Sequence, residues 1–379
     1  MQWGLRKFVR WMHLWVGLIT GVFICLMGFT GGLVGLRPQI ATLLSPPASH
    51  PATCKAPDWN RAGQDITAFA HSEINRVYGP YGSDTRWHLR MATDEPIIFK
   101  HVIYDACEGR VLGSINYAWM DWTVDLHHNL LAGRTGRRWA GAIGIVMLIS
   151  GLSGLLYWLL GNRDPRAAFR IRFSLTRRTP GELHRAFGLG AACLLILEAF
   201  TGIFLAFPQT MRGMVAAVAP VAEDVRPPRA PRIPDATAPV TRASLGDLMD
   251  AAHTAIPDGL VREIRMPEGN GNAQIRMWRQ GDFRILGNNV VFVSGSTGKT
   301  LAVDRYSDRP AGNRIVQAIA ALHYDEWGGL TFRVLCCVAG LVTPLLYITG
   351  FLLWLYARRR NAQPAQAQAV TDAAGVLTR

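Results

Sequence analysis

The sequence is poor in charge. Asp, Glu, Lys and Arg make up only 18% of its 379 residues, where a soluble domain carries about 25%. Acidic residues are the scarcer kind, 27 against 40 basic ones. Six cysteines are too few for a small fold built on disulfides. A hydrophobic share of 49% excludes a disordered chain. Catalytic signatures are missing as well. No Cys-x-x-Cys-His occurs, which excludes covalent c-type haem. No Gly-x-Gly-x-x-Gly follows a strand pattern, so no dinucleotide fold is visible. Neither His-Glu-x-x-His nor Gly-x-Ser-x-Gly is present. Gly295 to Thr300 looks like the end of a phosphate loop, but Val293 stands where the first glycine belongs. It reads as a hairpin turn.

What is present is four long apolar runs: Phe8 to Leu36, Trp139 to Leu160, His184 to Phe207 and Phe332 to Tyr356. Each can cross a bilayer, which takes about 20 helical residues. The first follows Arg6, Lys7 and Arg10 but is too long for a signal peptide and reads as a retained helix. Those three cations, the six arginines 163, 166, 170, 172, 177 and 178, and Arg358 to Arg360 all lie on one side of the spans. The positive-inside rule makes that side cytoplasmic, with both termini inside. Residues 38–137 and 208–330 then face outward, into the periplasm if the membrane is a bacterial inner membrane. The +13 net charge thus orients the chain in a lipid bilayer and implies no nucleic-acid partner. A Pro-rich stretch from Arg226 to Pro239 reads as an extended linker.

The chain repeats itself. His13, Gly17, Leu18 and Phe29-Thr30-Gly31 recur with the same spacing as His184, Gly188, Leu189 and Phe200-Thr201-Gly202. His127, Gly133, Gly154, Trp158 and Arg163 match His323, Gly329, Gly350, Trp354 and Arg359, each 196 residues later. The expected fold is a mainly α membrane protein: four helices in a parallel repeat about a pseudo-two-fold axis along the membrane normal. Between the helices two small outside α+β domains are expected. Helices are expected from Ile66 to Val77 and from Leu245 to Ile256, and Gly-turn hairpins at Tyr104–Leu112 and Val293–Leu301. The implied boundaries are 1–37, first span; 38–125, first outside domain; 126–161, second span with its His motif; 162–183, basic loop; 184–208, third span; 209–312, linker and second outside domain; 313–357, fourth span with its His motif; and 358–379, tail.

The repeat puts His13 opposite His184 near the cytoplasmic side and His127 opposite His323 near the outer side. Facing imidazoles on bundle helices suit bis-His ligation of haem iron. The expected cofactors are therefore two haem b, with the four histidines as axial ligands. Gly17 and Gly188 lie one turn beyond their histidines and leave room for a flat porphyrin; Gly21 extends that small-residue stripe. His128, out of register with His323, is the second choice for the outer haem. Helix packing is the plainer use of such glycines, and a metal pathway is the rival use of the histidines. No Asp or Glu flanks His13 in its span to serve such a pathway. Histidines 50, 71, 88, 101 and 253 are expected to be surface or structural residues. Cys54 and Cys107, alone in the outside segments, are expected to form a disulfide. Cys25, Cys193, Cys336 and Cys337 are expected to pack within the spans.

The Leu126–Gly133 motif, the two His-x-x-x-Gly-Leu…Phe-Thr-Gly repeats and the Tyr104–Leu112 hairpin resemble the PepSY-associated transmembrane helix family over nearly the whole chain. Ser294 stands where the family hairpin would have Asp. The resemblance implies PepSY-like outside domains, His13 and His184 on an inner haem, and His127 and His323 on an outer one. It implies an inner-membrane ferric-siderophore reductase, with the siderophore as acceptor. Apart from the resemblance, a quinol is the expected donor, since no nicotinamide or flavin site is visible. The alternative is a PepSY-type sensor or regulator of envelope proteolysis without redox activity.

Overall fold

The computed structural model describes every residue except 1, 49–53, 55–56, 82–83, 162–163, 174–177, 226, 228–241, 268–270 and 377–379. His50, Arg163, Arg177 and nearly all of the Pro-rich stretch lie outside the described residues. The helices are α1 Gln2–Gly35, α2 Arg37–Leu44, α3 Trp59–Ala70, α4 Ala118–Asn129, α5 Gly133–Leu159, α6 Pro165–Ala168, α7 Arg178–Ala206, α8 Pro208–Ala216, α9 Leu245–Ala255, α10 Ala311–His323 and α11 Gly329–Val376. The strands are β1 Ile74–Tyr78, β2 Arg86–Met91, β3 Lys100–Asp105, β4 Arg110–Ile115, β5 Leu260–Arg265, β6 Asn272–Trp278, β7 Asn289–Ser294 and β8 Thr300–Asp304. They form two compact units. A helical unit takes residues 1–35, 127–206 and 331–379; a sheet unit takes 36–126 and 207–330.

In the helical unit, four helices are long and apolar enough to cross a membrane: Gly4–Gly35, Gly133–Leu159, Arg178–Ala206 and Gly329–Arg359. Their ends run beyond the apolar cores because Arg, Ala and Gln are good helix formers. α5 packs against both α1 and α7. α1 meets α11 through glycines: a side chain at Gly28 would collide with Thr343, and one at Gly32 would lie 2.8 Å from the Cys337 carbonyl. Gly21 belongs to this seam. A Cβ there would strike the Tyr347 ring, so Gly21 serves helix packing and does not prolong the open stripe expected from the sequence.

In the sheet unit the two outside segments make one continuous antiparallel sheet, in the order β4-β3-β2-β1-β5-β6-β7-β8. The join is β1 to β5, with Val77 opposite Ile264. The expected pair of separate small domains is thus a single body with a shared core. Period-2 alternation sorts each strand. Val77, Leu89, Val102, Ile264, Ile275 and Val291 point into that core, where α3 and α9 add Ile66, Leu248 and Met249. The first helix ends at Ala70, earlier than expected, because His71 turns left-handed at φ 52° and Ile74 starts β1. α9 starts at Leu245 as the sequence suggests, fixed by a Ser244–Asp247 capping box. Both hairpins turn on a positive-φ glycine, Gly109 and Gly298. Cys54 and Cys107 are joined by a disulfide, with their Cα atoms 4.8 Å apart.

Candidate functional site

In the helical unit, α1 and α7 bring His13 and His184 together. Their ring centroids are 6.1 Å apart and the planes are inclined by 74°. Each ring is held from behind by the same kind of partners. His13 Nδ1 lies 3.1 Å from the Ser150 carbonyl and 3.0 Å from Ser153 Oγ. His184 Nδ1 lies 2.9 Å from the Leu346 carbonyl and 3.0 Å from Thr349 Oγ1. Ser153 already donates its hydroxyl proton to Ser150, and Thr349 donates to Leu345. Both hydroxyls therefore accept from the imidazole. This network assigns the proton to Nδ1 on each ring and leaves Nε2 with a bare lone pair. Each ring also packs against a glycine: a Cβ at Gly154 would lie 2.9 Å from His13 Cε1, and one at Gly350 would lie 3.3 Å from His184 Cε1.

His127 has the same tautomer logic. Its Nδ1 lies 3.1 Å from Thr30 Oγ1, and Thr30 donates its proton to the Leu26 carbonyl. A Cβ at Gly31 would lie 2.8 Å from the His127 ring. The Phe-Thr-Gly motif of α1 is thus a seat for His127, one residue orienting the ring and the next making space. Thr30 is 17 residues beyond His13, about 25 Å along the helix at about 1.5 Å per residue. The His128 ring stands 5.8 Å from that of His127. Leu130, Leu131 and Gly133 all have positive φ, which makes the abrupt turn from α4 into α5. His323 is the last residue of α10 and belongs to the sheet unit, with its ring 6.1 Å from Tyr324.

The residues fit a bis-His metal centre. Two imidazoles on opposite sides of one metal, with bonds of about 2 Å, put their ring centroids about 6 Å apart, as His13 and His184 are. Ligating imidazoles also donate their other N–H to carbonyl or hydroxyl oxygens, as three of the four candidates do. A Cβ at Gly17 would meet no atom within 4 Å, and one at Gly188 would meet only Leu346 at 3.6 Å. The glycine one turn from each histidine therefore offers flat, uncovered backbone. Ser153 and Thr349 were missed in the sequence, although both carry a hydroxyl just before a repeat glycine, 196 residues apart.

The sheet unit holds a second polar array. His101 is 1% exposed, and its Nε2 lies 2.6 Å from Asp121 Oδ2. His101 Nδ1 is 2.8 Å from His88 Nε2. With Asp121 accepting from His101 Nε2–H, His101 Nδ1 must accept from His88 Nε2–H. Burial first, then the neighbouring His101, Arg37 and Arg90, holds His88 well below the usual histidine range. Of the histidines expected to be surface or structural, His253 is exposed and His71 caps α3. His88 and His101 are structural too: they form an inward-facing, hydrogen-bonded chain.

Four membrane-length helices, two of which bring together the pre-oriented imidazoles of His13 and His184, define an integral membrane protein with a candidate metal-cofactor site. The chain belongs to the PepSY-associated TM region family, whose sequence profile it matches over residues 10–357. No curated protein matches it closely enough to lend it a more particular function.

Proposed function

We propose that this protein is a di-haem b reductase of the bacterial inner membrane, with both termini cytoplasmic, that passes electrons outward to a ferric siderophore in the periplasm. The observation that carries the reading is the His13–His184 pair, two Nε2-bare imidazoles held about one bis-ligated metal apart. Bound haem b would supply one-electron carriage, which none of the twenty side chains here provides alone. The chain's own residues do the rest. His13 and His184 would hold the inner group; on the helical unit His127 would serve the outer one, with His128 as second choice. Ser153, Thr349 and Thr30 fix the ring protons, and Gly17 and Gly188 admit the macrocycle. The absence of acid–base and nucleophile motifs suits the chemistry: one electron converts the chelated ferric ion to ferrous, the weakened chelate releases it, and the freed ligand oxygens take up protons. A quinol in the bilayer is the proposed donor.

The test is direct. Purified protein is reduced with dithionite, freed of reductant, and mixed with a ferric siderophore in the presence of a ferrous-specific dye. The α-band of reduced haem should disappear as the ferrous dye complex forms. Proteoliposomes should respond only to chelate on the side of the sheet unit. Protein that carries no haem, or whose reduced haem is stable to every ferric chelate, overturns the reading in favour of a sensor that acts without redox chemistry.

A further inference from the structure

The face of the sheet opposite the core is cationic in a way its own fold does not balance. Strand register places Arg90 of β2 directly opposite Arg76 of β1, and Arg76 directly opposite Arg265 of β5. Three like charges thus stand side by side on three neighbouring strands, spanning about 10 Å at about 4.8 Å per strand. Like charges directly opposite destabilise a sheet unless something neutralises them. In the next row Tyr78 is opposite both His88 and Glu263, and Glu263 is opposite Arg276. Glu263, 2% exposed, is the carboxylate at the centre. It ion-pairs with Arg76 at 3.1 Å, Arg265 at 3.3 Å and Arg276 at 3.1 Å.

Four arginines and one carboxylate leave a surplus of three positive charges. The nearby acids are already engaged: Asp121 holds His101, and Glu326 holds Arg284 at 2.8 Å. Arg90 makes no ion pair among the described residues; its guanidinium lies 3.5 Å over the Phe99 ring. Arg262 likewise stacks on Tyr81 and Trp278. The Nε atoms of Arg76, Arg90 and Arg262 are buried with no hydrogen-bond partner among the described residues. Burial raises the Tyr78 phenol, yet Arg37, Arg76 and Arg90 together bring it below its ordinary range, which reports the local positive potential. The row is still reachable: the side chains of Arg76 and Arg276 are 26% exposed, and that of Arg265 is 43% exposed.

We propose that the arginine row Arg90–Arg76–Arg265, with Arg276, is a binding site for a small polyanion bearing several carboxylates. Guanidinium groups bind carboxylates through paired parallel hydrogen bonds, and a row of three suits an oxygen-rich ligand with several such groups. Resting on the reductase reading, this makes the iron substrate a polycarboxylate chelate and disfavours cationic trihydroxamates.

Gallium chelates test the site without electron transfer, because gallium(III) is not reduced under these conditions. Equilibrium dialysis of the full-length protein in an uncharged detergent should show gallium(III) citrate binding about tenfold or more tighter than gallium(III) desferrioxamine B, a cationic trihydroxamate. Binding should weaken as salt rises. Arg265→Gln, at the most exposed member, and Arg90→Gln should each reduce citrate binding about tenfold. Equal or tighter binding of the cationic chelate, or citrate binding that ignores both substitutions in protein with unchanged circular dichroism, overturns the site. So does a site occupied only by phosphatidylglycerol in nanodiscs. If gallium citrate binds as expected while the reduced protein is stable to every ferric chelate, ferric citrate included, the site stands and the reductase reading falls.

Discussion

The helical unit and the sheet unit treat their two halves differently. In the helical unit, each inner histidine has a carbonyl, a hydroxyl and a glycine behind it. His13 has Ser150, Ser153 and Gly154; His184 has Leu346, Thr349 and Gly350. In the sheet unit the elements recur, but their polar residues do not. β3 carries His101 and Asp105 where β7 carries Val290 and Ser294. Asp121 of α4 holds His101, whereas Gln317, 196 residues later on α10, accepts from Arg284. The contrast has a chemical sense. In the proposed reading, two histidines on one metal do the same work and call for the same surroundings. The sheet unit shows no such pairing, and its positive charge collects around β2, β1 and β5.

The comparison breaks first if the histidines are not equivalent. Wild-type protein should contain two haems per chain by pyridine haemochrome assay. His13→Ala and His184→Ala should each leave one, and both variants should lose the same spectral component. A variant that kept both haems would show that the facing rings are only packing. The next largest effect lies in the sheet unit. Cys54→Ser with Cys107→Ser opens a loop set by a sequence separation of 53, worth about 4 kcal/mol in a chain-entropy treatment. Denaturant unfolding followed by sheet-unit tryptophan fluorescence should show a loss approaching that size while haem content holds.

A smaller effect sharpens the helical side. Ser153→Ala and Thr349→Ala should each weaken haem retention by about 10- to 100-fold, as loss of a ligand-orienting partner does. The two should match; a large effect of one alone would mean that the halves are not equivalent. The smallest effect is in pH. His88 stays neutral when folded but takes a proton when unfolded below its ordinary 6.5. The unfolded state then binds more protons, so stability should fall as pH drops below about 6.5. Melting temperatures at pH 7.5 and 5.5 should differ in wild type and differ less in His88→Gln.

Much of the helical unit was legible in the sequence because a bilayer imposes length and apolarity, and because a 196-residue offset marks equivalent positions. The facing of His13 and His184 followed from spacing alone. Gly21 did not, because whether a glycine faces a neighbouring helix depends on rotation about the axis, and Tyr347 decided that. The sheet unit was read as two small domains because a hairpin pattern says where strands turn, not which edge meets which. Nothing in β1 or β5 alone announces their pairing. The arginine row was hidden for the same reason: Arg76, Arg90 and Arg265 are far apart in sequence and become neighbours only through register. His88 and His101 read only as scattered surface or structural residues, and their contact appears once β2 and β3 set them side by side.

The β1–β5 seam also governs how the chain can be made. Arg76 must find Arg265, and while the intervening chain is still being synthesised β1 is the open edge of a half-sheet. Such an edge, with unpaired N–H and carbonyl groups, is a template for the wrong partner. The first half also lacks α9 and its Leu248 and Met249, so part of its apolar face stands uncovered. Two further membrane crossings separate the halves. The sheet unit is therefore assembled late, by closure over a long sequence separation, which slows folding. A nascent chain halted before β5 should be captured by chaperones through that same edge, and completion of the β1–β5 pair should release it.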